Sequence, residues 1–346
     1  MLSILHGTGS LALGSRDRGL LRLRGIAWIF GALIGGTTLF QTECSAQAWP
    51  AKPIRLIVIS SPGGASDIMA RMLGERVAMG LGQPVVIDNR PSAGGIIGTD
   101  LAAKSPPNGY TLLLGSPAAF AISPHLQAKL PYDTVSDFLP VGQFSSLPFA
   151  LITHPGTPAQ SVGELIVLAK GRPGSINFAS AGNATTTHLV AELFKSVTGT
   201  DMLHVPFKGG AAAMTALAGG QVQVMFDALV TSVPQVRTGR IRALAVTGQA
   251  RSALLPDVPT MGEAGVKSFV VRSWFGVFAP ARTPASVIAR LNAELTKAIQ
   301  VPEVRERLTN LGAEPVGGSP EAFGRFVREE SDRYGQLIRD AKIRAD

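Results

Sequence analysis

Cysteine is almost absent from this sequence, whose 346 residues include one, Cys44. It follows an apolar run from Ile26 to Phe40, which is itself preceded by arginines and followed by small residues from Ser45 to Ala48. This order is typical of a cleavable signal peptide, and we expect cleavage after Ala48, so that residues 1–48 are removed. The exported chain would then have no disulfide, thiol nucleophile or thiolate metal site.

Two alternatives to a signal peptide remain open. A membrane anchor is disfavoured because the apolar run contains glycines and falls short of the roughly 20 residues that span a bilayer. A lipoprotein is disfavoured because Glu43 stands where a lipid-attachment site needs a small residue before Cys44. No second apolar stretch in the sequence is long enough to span a membrane.

Blocks of positive charge are also lacking. Removing four arginines and two acidic residues with the signal peptide leaves 28 of 32 basic and 22 of 24 acidic residues, a net charge of +6. The excess is spread along the chain, and aromatic residues make up only 6% of it. This pattern disfavours nucleic-acid binding and is compatible with attraction for small anions.

Motifs of the common catalytic and cofactor sites are missing as well. The sequence has no G-x-S-x-G elbow and no phosphate-binding P-loop, and GGIIG (94–98) lacks the dinucleotide-binding spacing, so we interpret it as a packed turn. No two acidic residues form an evident catalytic pair. We therefore expect no catalytic residues and no cofactor. We also expect no metal site, because the histidines are too far apart in the sequence for metal-ligand spacing: His125, His154, His188 and His204.

Strand-like and helical segments alternate through most of the chain. IRLIVIS (54–60) precedes a helical pattern, and INFAS (176–180) precedes a helix from Thr186. Between YTLLLG (110–115) and FALITH (149–154) we expect a loop rich in proline and serine. Continuous apolar strands separated by helices predict an α/β fold with a mostly parallel sheet.

The last seventy or so residues differ, because WFGVFAP (274–280) is followed by helical patterns and no further strand. Two short stretches, Gly142 to Leu147 and Ser273 to Phe278, are interpreted as crossings between two lobes. The expected boundaries are 49–146 together with 274–346 for lobe 1, and 147–273 for lobe 2. The alternative is one large doubly wound domain.

NFASAGNATTTHLVAELF (177–194) contains a strand-to-helix corner of small, hydroxyl-bearing and amide residues. A threonine between Thr185 and Thr187 can cap the helix, and the first turn contains no acidic residue. The unpaired amide groups and the positive end of the helix dipole can therefore hold an external anion. For a single corner of this kind, an ordinary capped helix is the favoured alternative.

Two further corners have the same character. SSPGGASD (60–67) and FKGGAAAM (207–214) each open a helix with paired glycines, which allow the backbone to approach a ligand closely. Asp67 is expected to be a helix N-cap. Because ligands of open α/β sheets bind outside the carboxyl ends of the strands, three such loops predict a cleft lined by amide donors.

Many segments, in order, resemble the Bug-type (TctC-like) receptors of tripartite tricarboxylate transport, which are periplasmic solute-binding proteins of Gram-negative bacteria. The resemblance covers almost the whole chain after residue 48. It is carried by PAKPIRLIV (50–58), PGGASDIMAR (62–71), LGQPVVIDNRPSAGG (81–95), PPNGYTLLLG (106–115), KLPYDTVSDF (129–138), NFASAGN (177–183) with THLVAELF (187–194), VPFKGGAAAMTALAGGQVQVMFD (205–227), LPDVPTMGEAG (255–265) and WFGVFAPARTP (274–284).

The resemblance implies a type II periplasmic-binding-protein fold, with two α/β lobes joined by two crossover strands. It implies a periplasmic receptor whose lobes close over a small carboxylate, held largely by backbone amides and ordered water. The partners implied are permease subunits of the tripartite tricarboxylate type or a sensor kinase, with no nucleic acid, and a closing hinge favours a monomer. Trp274 would lie near the hinge.

The ligand contacts implied by the resemblance lie in the strand-end loops, including Lys208 to Ala211. The residues are Ser60, Ser61, Gly63, Gly64, Ser66, Asp67, Ser116, Ser180, Ala181, Asn183, Thr186, Thr187, Lys208, Gly209, Asp227 and, as a hypothesis, Arg272.

Several positions depart from the family pattern. Ser60 and Ser61 replace an aromatic residue and a proline, which makes this wall smaller and more polar. The stretch Ser116 to Phe120 replaces hydroxyl donors and adds an apolar ring. Thr187 replaces a frequent proline, and Ala228 a frequent asparagine. Arg272 replaces a small neutral residue, so it either pairs a second acidic group of the ligand or is simply a solvated arginine near the hinge.

The function expected from the sequence is therefore a non-enzymatic receptor for a small organic carboxylate. The alternative is a secreted enzyme acting on small carboxylic acids. An enzyme would need a general base in the cleft, for which the candidates are Asp67, His188 and Asp227.

Overall fold

The computed structural model describes residues 49–343. The predicted signal peptide, its cleavage site and the lipoprotein alternative lie outside the described residues. The strands are β1 Ile54–Val58, β2 Val85–Asn89, β3 Thr111–Gly115, β4 Phe138–Thr153, β5 Asn177–Ser180, β6 Leu203–Pro206, β7 Val224–Ala228, β8 Arg242–Val246, β9 Arg272–Pro280 and β10 Glu314–Pro315. The helices are α1 Ala65–Leu81, α2 Ile96–Ala103, α3 Ser123–Leu126, α4 Val162–Gly171, α5 Thr186–Thr198, α6 Gly210–Ala218, α7 Leu229–Arg237, α8 Ala285–Gln300, α9 Pro302–Asn310 and α10 Pro320–Asp340.

The first lobe contains a parallel unit in which β1 lies between β2 and β3. β9 continues the sheet antiparallel to β3, and α1 packs against β2 and α8. Ile54, Ile57 and Val58 of β1 are completely buried. The strand is almost continuously apolar because both faces of a parallel sheet are covered by other elements.

The second lobe repeats this arrangement, with β5 between β6 and β7, all parallel. The end of β4 pairs antiparallel with β7 on one side and β8 on the other. In this lobe, the bounds of α5 follow from its capping residues and its apolar face. Thr185 caps its first turn, Gly199 ends it with a φ of 62°, and Leu189, Val190 and Phe194 form its buried face.

Two neighbouring strands, β4 and β9, connect the lobes. The first part of β4 pairs antiparallel with β9, with Gly142 opposite Val277 and Leu147 opposite Ser273. The last part of the same strand, from Phe149 to Thr153, pairs with β7. The fold is thus α/β with two lobes joined by two crossover strands.

Two expectations about secondary structure are wrong. Apart from the predicted crossing at Gly142 to Leu147, the region between β3 and Phe149 was expected to be a loop, but it contains a π-helical turn at Ala118–Ile122, α3 and a strand, β4, that begins at Phe138 and includes the crossing. The C-terminal part is also not free of strands, because β10 pairs with Ser145 and Ser146 of β4. Both differences involve the crossover strand, whose pairing partners are distant in sequence.

Candidate functional site

The loops that follow the parallel strands of both lobes surround one cavity of about 580 Å³. This volume is in the range of pockets that bind small organic molecules. The lining residues come from the ends of β1, β2 and β3 in one lobe and of β5, β6 and β7 in the other. Phe149 of β4 and Ser273 and Phe275 of β9, the two crossover strands, complete the lining.

Five helices begin at this cavity. Their N-cap residues, which all line it, are Gly64, Gly95, Thr185, Gly209 and Ala228, for α1, α2, α5, α6 and α7 respectively. Four of these helices, all except α1, have no acidic residue in the first turn. The first amide groups of a helix have no acceptor within the helix, and its dipole is positive at this end. The cavity is therefore surrounded by features that favour an anion.

The acidic residue in the first turn of α1, Asp67, is occupied elsewhere. It is 3% exposed and accepts hydrogen bonds of 3.0 Å from the backbone N of Gly63, from Arg71 Nε and from Asn89 Nδ2. Burial opposes ionisation of Asp67, but these hydrogen bonds outweigh it and lower the pKa of the carboxyl group. The N-cap residue is Gly64, so the prediction that Asp67 is the N-cap is wrong. Asp67 instead stabilises the loop between β1 and α1 through its hydrogen bond from the backbone N of Gly63.

At the α5 corner, hydroxyl groups organise the turn. Thr187 Oγ1 accepts a hydrogen bond of 2.9 Å from the backbone N of Ala181, and Thr185 Oγ1 accepts one from His188 N at 3.4 Å. Thr186 and Thr187 both line the cavity. Their backbone amides belong to the helix's first turn and have no helical acceptor.

Behind this corner lies a stack of aromatic rings. The rings of His188 and His204 are 4.1 Å apart between centroids and nearly parallel, and Phe178 stacks on His204. Ser180 Oγ lies 2.6 Å from His204 Nε2. His188 is 1% exposed and is not part of the lining.

Two ionisable side chains are found among the lining residues that the structure describes, those of Lys208 and Asp227. Asp227 ends β7 and is 5% exposed. Burial raises the pKa of Asp227 to about 7, although hydrogen bonds from Thr231, the backbone of Ala228 and Ser232 act in the opposite direction. Near neutral pH, Asp227 is therefore present in both its neutral and its ionised form.

Two hydrogen bonds cross from one side of the cavity to the other. Ser61 Oγ, after β1, donates to the carbonyl O of Lys208, after β6, over 3.0 Å. The backbone N of Gly94, after β2, donates to the carbonyl O of Asn183, after β5, over 3.1 Å. Both connect loops of different sheets, so they hold the two walls of the cavity together.

Most of the residues assigned to the ligand site from the sequence line this cavity, although their contact with a ligand stays a prediction. They are Ser60, Ser61, Gly64, Ser66, Ser116, Ala181, Asn183, Thr186, Thr187, Lys208, Gly209 and Asp227. The side-chain oxygen of Ser60 is buried and has no hydrogen-bond partner among residues 49–343.

Four assigned residues do not line the cavity: Gly63, Asp67, Ser180 and Arg272. Gly63 and Asp67 bond to each other, and Ser180 contacts His204 behind the wall. The guanidinium of Arg272 pairs with Glu314 at 2.7 Å and donates from Nε to Ser146 Oγ at 3.0 Å. In this structure the positive charge of Arg272 therefore already has an acidic partner.

Other parts of the lining were missed. The turn of GGIIG is packed as interpreted, since a Cβ on Gly95 would lie 2.6 Å from Ile59, but Gly95 and Ile97, together with nearby Ser92, also line the cavity. The expected apolar ring, Phe120, instead stacks on Phe278 in the core at 3.9 Å. The aromatic residues of the lining are Phe149, Phe207 and Phe275. The position of GGIIG after a parallel strand was the signal that could have identified it.

Neither a metal centre nor a membrane span is formed by residues 49–343. No group of three or more His, Cys, Asp or Glu side chains in this range could hold a metal ion. None of the helices within the same range is both long and apolar enough to cross a membrane.

Comparison with known proteins identifies the family. The sequence of residues 69–343 matches the family model of the tripartite tricarboxylate transporter family receptor. BugT of Bordetella pertussis is 38% identical over 322 residues, which cover 93% of this chain and 98% of BugT.

Solved structures agree with this match. The periplasmic binding protein BugD is 34% identical with a TM-score of 0.83, covering 86% of this chain and 100% of BugD. Rpa4515 of R. palustris, solved with adipate, is 36% identical with a TM-score of 0.84, covering 86% and 99% of the two chains. MatC from Rhodopseudomonas palustris, with bound malate, is 32% identical with a TM-score of 0.80, covering 84% and 99%. The chain therefore belongs to the tripartite tricarboxylate transporter family of receptors, to which the Bug-type proteins belong, and has their periplasmic-binding-protein fold.

Proposed function

We propose that this protein is an extracytoplasmic solute-binding receptor that captures a small organic carboxylate in the cavity between its lobes. The observation that carries this proposal is the convergence of five helix N-termini on one cavity, four of them without an acidic residue in the first turn. Fixed amide dipoles of this kind bind an anion without the loss of side-chain freedom that a lysine or arginine would incur.

The chemistry of related proteins supports a carboxylate as the anion. Rpa4515 was solved with adipate and MatC with malate, both of which are small dicarboxylic acids. The cavity of about 580 Å³ has room for a molecule of this size. Apolar lining residues such as Phe149 and Phe275 would contact the carbon chain of the acid, and the N-termini of the helices would bind its carboxylate groups.

Capture would take place by closure of the two lobes. We propose that lobe 1 consists of residues 49–146 and 274–346, and lobe 2 of residues 147–273. The antiparallel pairing of β4 and β9 between the two sheets supports these boundaries. The hydrogen bonds from Ser61 to Lys208 and from Gly94 to Asn183 would form on closure. Exclusion of water would then strengthen the attraction between the amides and the anion.

Binding, rather than turnover, is the activity that we propose. Of the three candidate general bases, Asp67 is bonded to Arg71 and Asn89, and His188 is in a ring stack outside the cavity lining. Asp227 is left as the one candidate in the lining. Recovery of the bound acid chemically unchanged after prolonged incubation would support a receptor, and its conversion would support an enzyme.

Family membership and the predicted signal peptide support a proposal for the location and partners of the protein. We propose that the protein acts as a monomer in the periplasm after removal of residues 1–48. It would present the bound acid to permease subunits of the tripartite tricarboxylate type or to a sensor kinase. Loss of growth on the acid after deletion of the gene would indicate transport, whereas loss of induction by the acid would indicate sensing.

Identification of the ligand is the first experiment. The protein is purified from periplasmic extract, and any copurifying molecule is identified by native mass spectrometry. The emptied protein is then tested by thermal shift against mono- and dicarboxylic acids that include adipate and malate. A carboxylic acid should raise the melting temperature in a concentration-dependent way. A neutral or cationic copurifying molecule, with no response to any acid, would contradict the proposal.

A charge placed at the α5 corner tests the mechanism. Thr186→Asp would give the helix its own carboxylate in the cavity, while Thr186→Asn, of similar size, would not. Two carboxylates about 4 Å apart repel by about 4 kcal/mol at an effective dielectric constant of 20. We therefore expect Thr186→Asp to weaken acid binding by more than about 100-fold, and Thr186→Asn far less. Equal effects of the two substitutions would show that the anion does not lie at this helix end.

A further inference from the structure

Asp227 poses a problem of charge in a cavity that favours anions. Its carboxyl group lines the cavity and is 5% exposed. Asp227 forms no ion pair within the part of the chain that the structure describes. An ionised carboxylate without a cation is costly to bury, and a second carboxylate beside it would increase the cost.

The contacts of Thr231 fit a neutral Asp227, whereas the backbone amide of Ala228 and the hydroxyl of Ser232 favour its ionised form. Thr231 Oγ1 lies 2.5 Å from Asp227 Oδ2 and 2.9 Å from the carbonyl O of Ala228. A threonine hydroxyl has only one proton to donate. Both contacts are hydrogen bonds if the carboxyl group of Asp227 is protonated. Asp227 then donates a hydrogen bond to Thr231 Oγ1, and the Thr231 hydroxyl donates one to the carbonyl O of Ala228.

The charged groups on the surrounding elements do not offset a negative charge on Asp227. α6, β4 and β5 contain no titratable residue. Lys195 of α5 already pairs with Glu192 at 2.9 Å. Burial raises the pKa of Asp227 to about 7, although its hydrogen bonds act in the opposite direction. The titratable groups of the other neighbours are His188, Glu192 and Lys195 of α5, Arg237 in the last turn of α7, and Lys208 of the lining.

We propose that Asp227 couples ligand binding to proton uptake, so that a carboxylate enters the cavity only while Asp227 is neutral. This inference rests on the proposed function. As each anion binds, any ionised Asp227 takes one proton from solvent, so that the site gains no second negative charge. The ligands selected would be acids without a cationic group, because an ammonium group beside Asp227 would instead stabilise its ionised form.

Isothermal titration calorimetry with adipate and with malate, between about pH 6 and pH 9, tests the coupling. Both acids are largely ionised in this range, so their own titration contributes little. Affinity should be nearly constant below the pKa of Asp227, about 7, and should fall by up to about tenfold per pH unit above it. Repeating the titration at about pH 8 in buffers of different ionisation enthalpy should show uptake of close to one proton per ligand.

The variant Asp227→Asn cannot ionise and should lose this pH dependence. Its matched control is Asp257→Asn, an exposed loop position, which should keep the wild-type pH profile. Binding to the wild type that is independent of pH, with no proton uptake, would overturn the coupling while leaving the receptor function intact. Failure of the wild type and both variants to bind either acid, together with a screen that finds no other acid, would overturn the receptor function and the coupling together. The proton count on the wild type decides the matter even if Asp227→Asn does not fold.

Discussion

Substitution of Gly209 should separate closure of the lobes from the fold of either lobe. Gly209 is the N-cap residue of α6 and has a φ of 110°, a conformation that is strained for any residue with a side chain. A Cβ added here would lie 2.4 Å from Ser61 Oγ and 2.9 Å from Ser61 Cβ. Ser61 belongs to the opposite wall of the cavity, so the clash exists only when the walls are together.

The size of the effect follows from these distances. Ser61 Oγ would have to withdraw by about 1 Å to reach ordinary contact, which begins at 3.4 Å. Its hydrogen bond to the carbonyl of Lys208 would then be lost, at a net cost of about 1 kcal/mol. Overpacking of a close contact costs about 1–3 kcal/mol. For Gly209→Ala we therefore expect ligand affinity to fall by about 5- to 150-fold.

Calorimetry with the acid found by the screen is the assay, and two further variants make it specific. Gly318→Ala introduces a side chain at a similar φ of 109° with nothing within 4 Å, so it should lower stability without changing affinity. The double variant Gly209→Ala with Ser61→Gly removes the clash but keeps the backbone strain, so it should recover part of the affinity. No change in affinity for Gly209→Ala, or no recovery in the double variant, would refute the reasoning that this contact forms on closure.

Three further predictions concern charged side chains. Asp67→Asn should lower the free energy of unfolding by about 1–3 kcal/mol at pH 7 in urea titrations; because the folded-state pKa of Asp67 is lowered, its stabilisation should disappear as the pH falls through that pKa. Because burial raises the folded-state pKa of Asp227 to about 7, the wild type should lose stability relative to Asp227→Asn as the pH rises from about 4 to about 7, by about 1 kcal/mol per pH unit in urea titrations. Arg272→Ala should change acid affinity by less than about threefold in calorimetry, because Arg272 pairs with Glu314; a larger loss would support a direct ligand contact.

Local signals in the sequence predicted the repeating βα units well. The start of α5 at Thr186 was predicted because a threonine cap, small residues and an apolar face coincide there. In the first half of β4 only the crossing at Gly142 to Leu147 was predicted, and the full strand was missed because Pro140, Gly142 and Pro148 disfavour a strand. The pairing tolerates them, since its register shifts between Pro140 and Gly142, and the partner strand β9 begins more than 100 residues later.

The cavity was predicted in part, for a similar reason. The corners before α1, α5 and α6 contain paired glycines or threonines, and all three line the cavity. The corner before α2 has the same paired glycines, Gly94 and Gly95, but was interpreted as a packed turn, and the corner before α7 lacks such signals. α7 follows Ala228 directly and has no side-chain cap, so only the convergence of the strands in space reveals its contribution. The sequence could not show that Arg272 pairs with Glu314, because β10 has only two residues and no pattern of its own.

A crystal structure of the protein with its bound acid is the most direct test of anion capture by helix N-termini. The carboxylate oxygens should lie about 2.7–3.2 Å from backbone amides in the first turns that begin after Thr185 and Gly209, or from waters held by them. A ligand whose carboxylate points to bulk solvent, or pairs with a side-chain cation away from the helix ends, would contradict it.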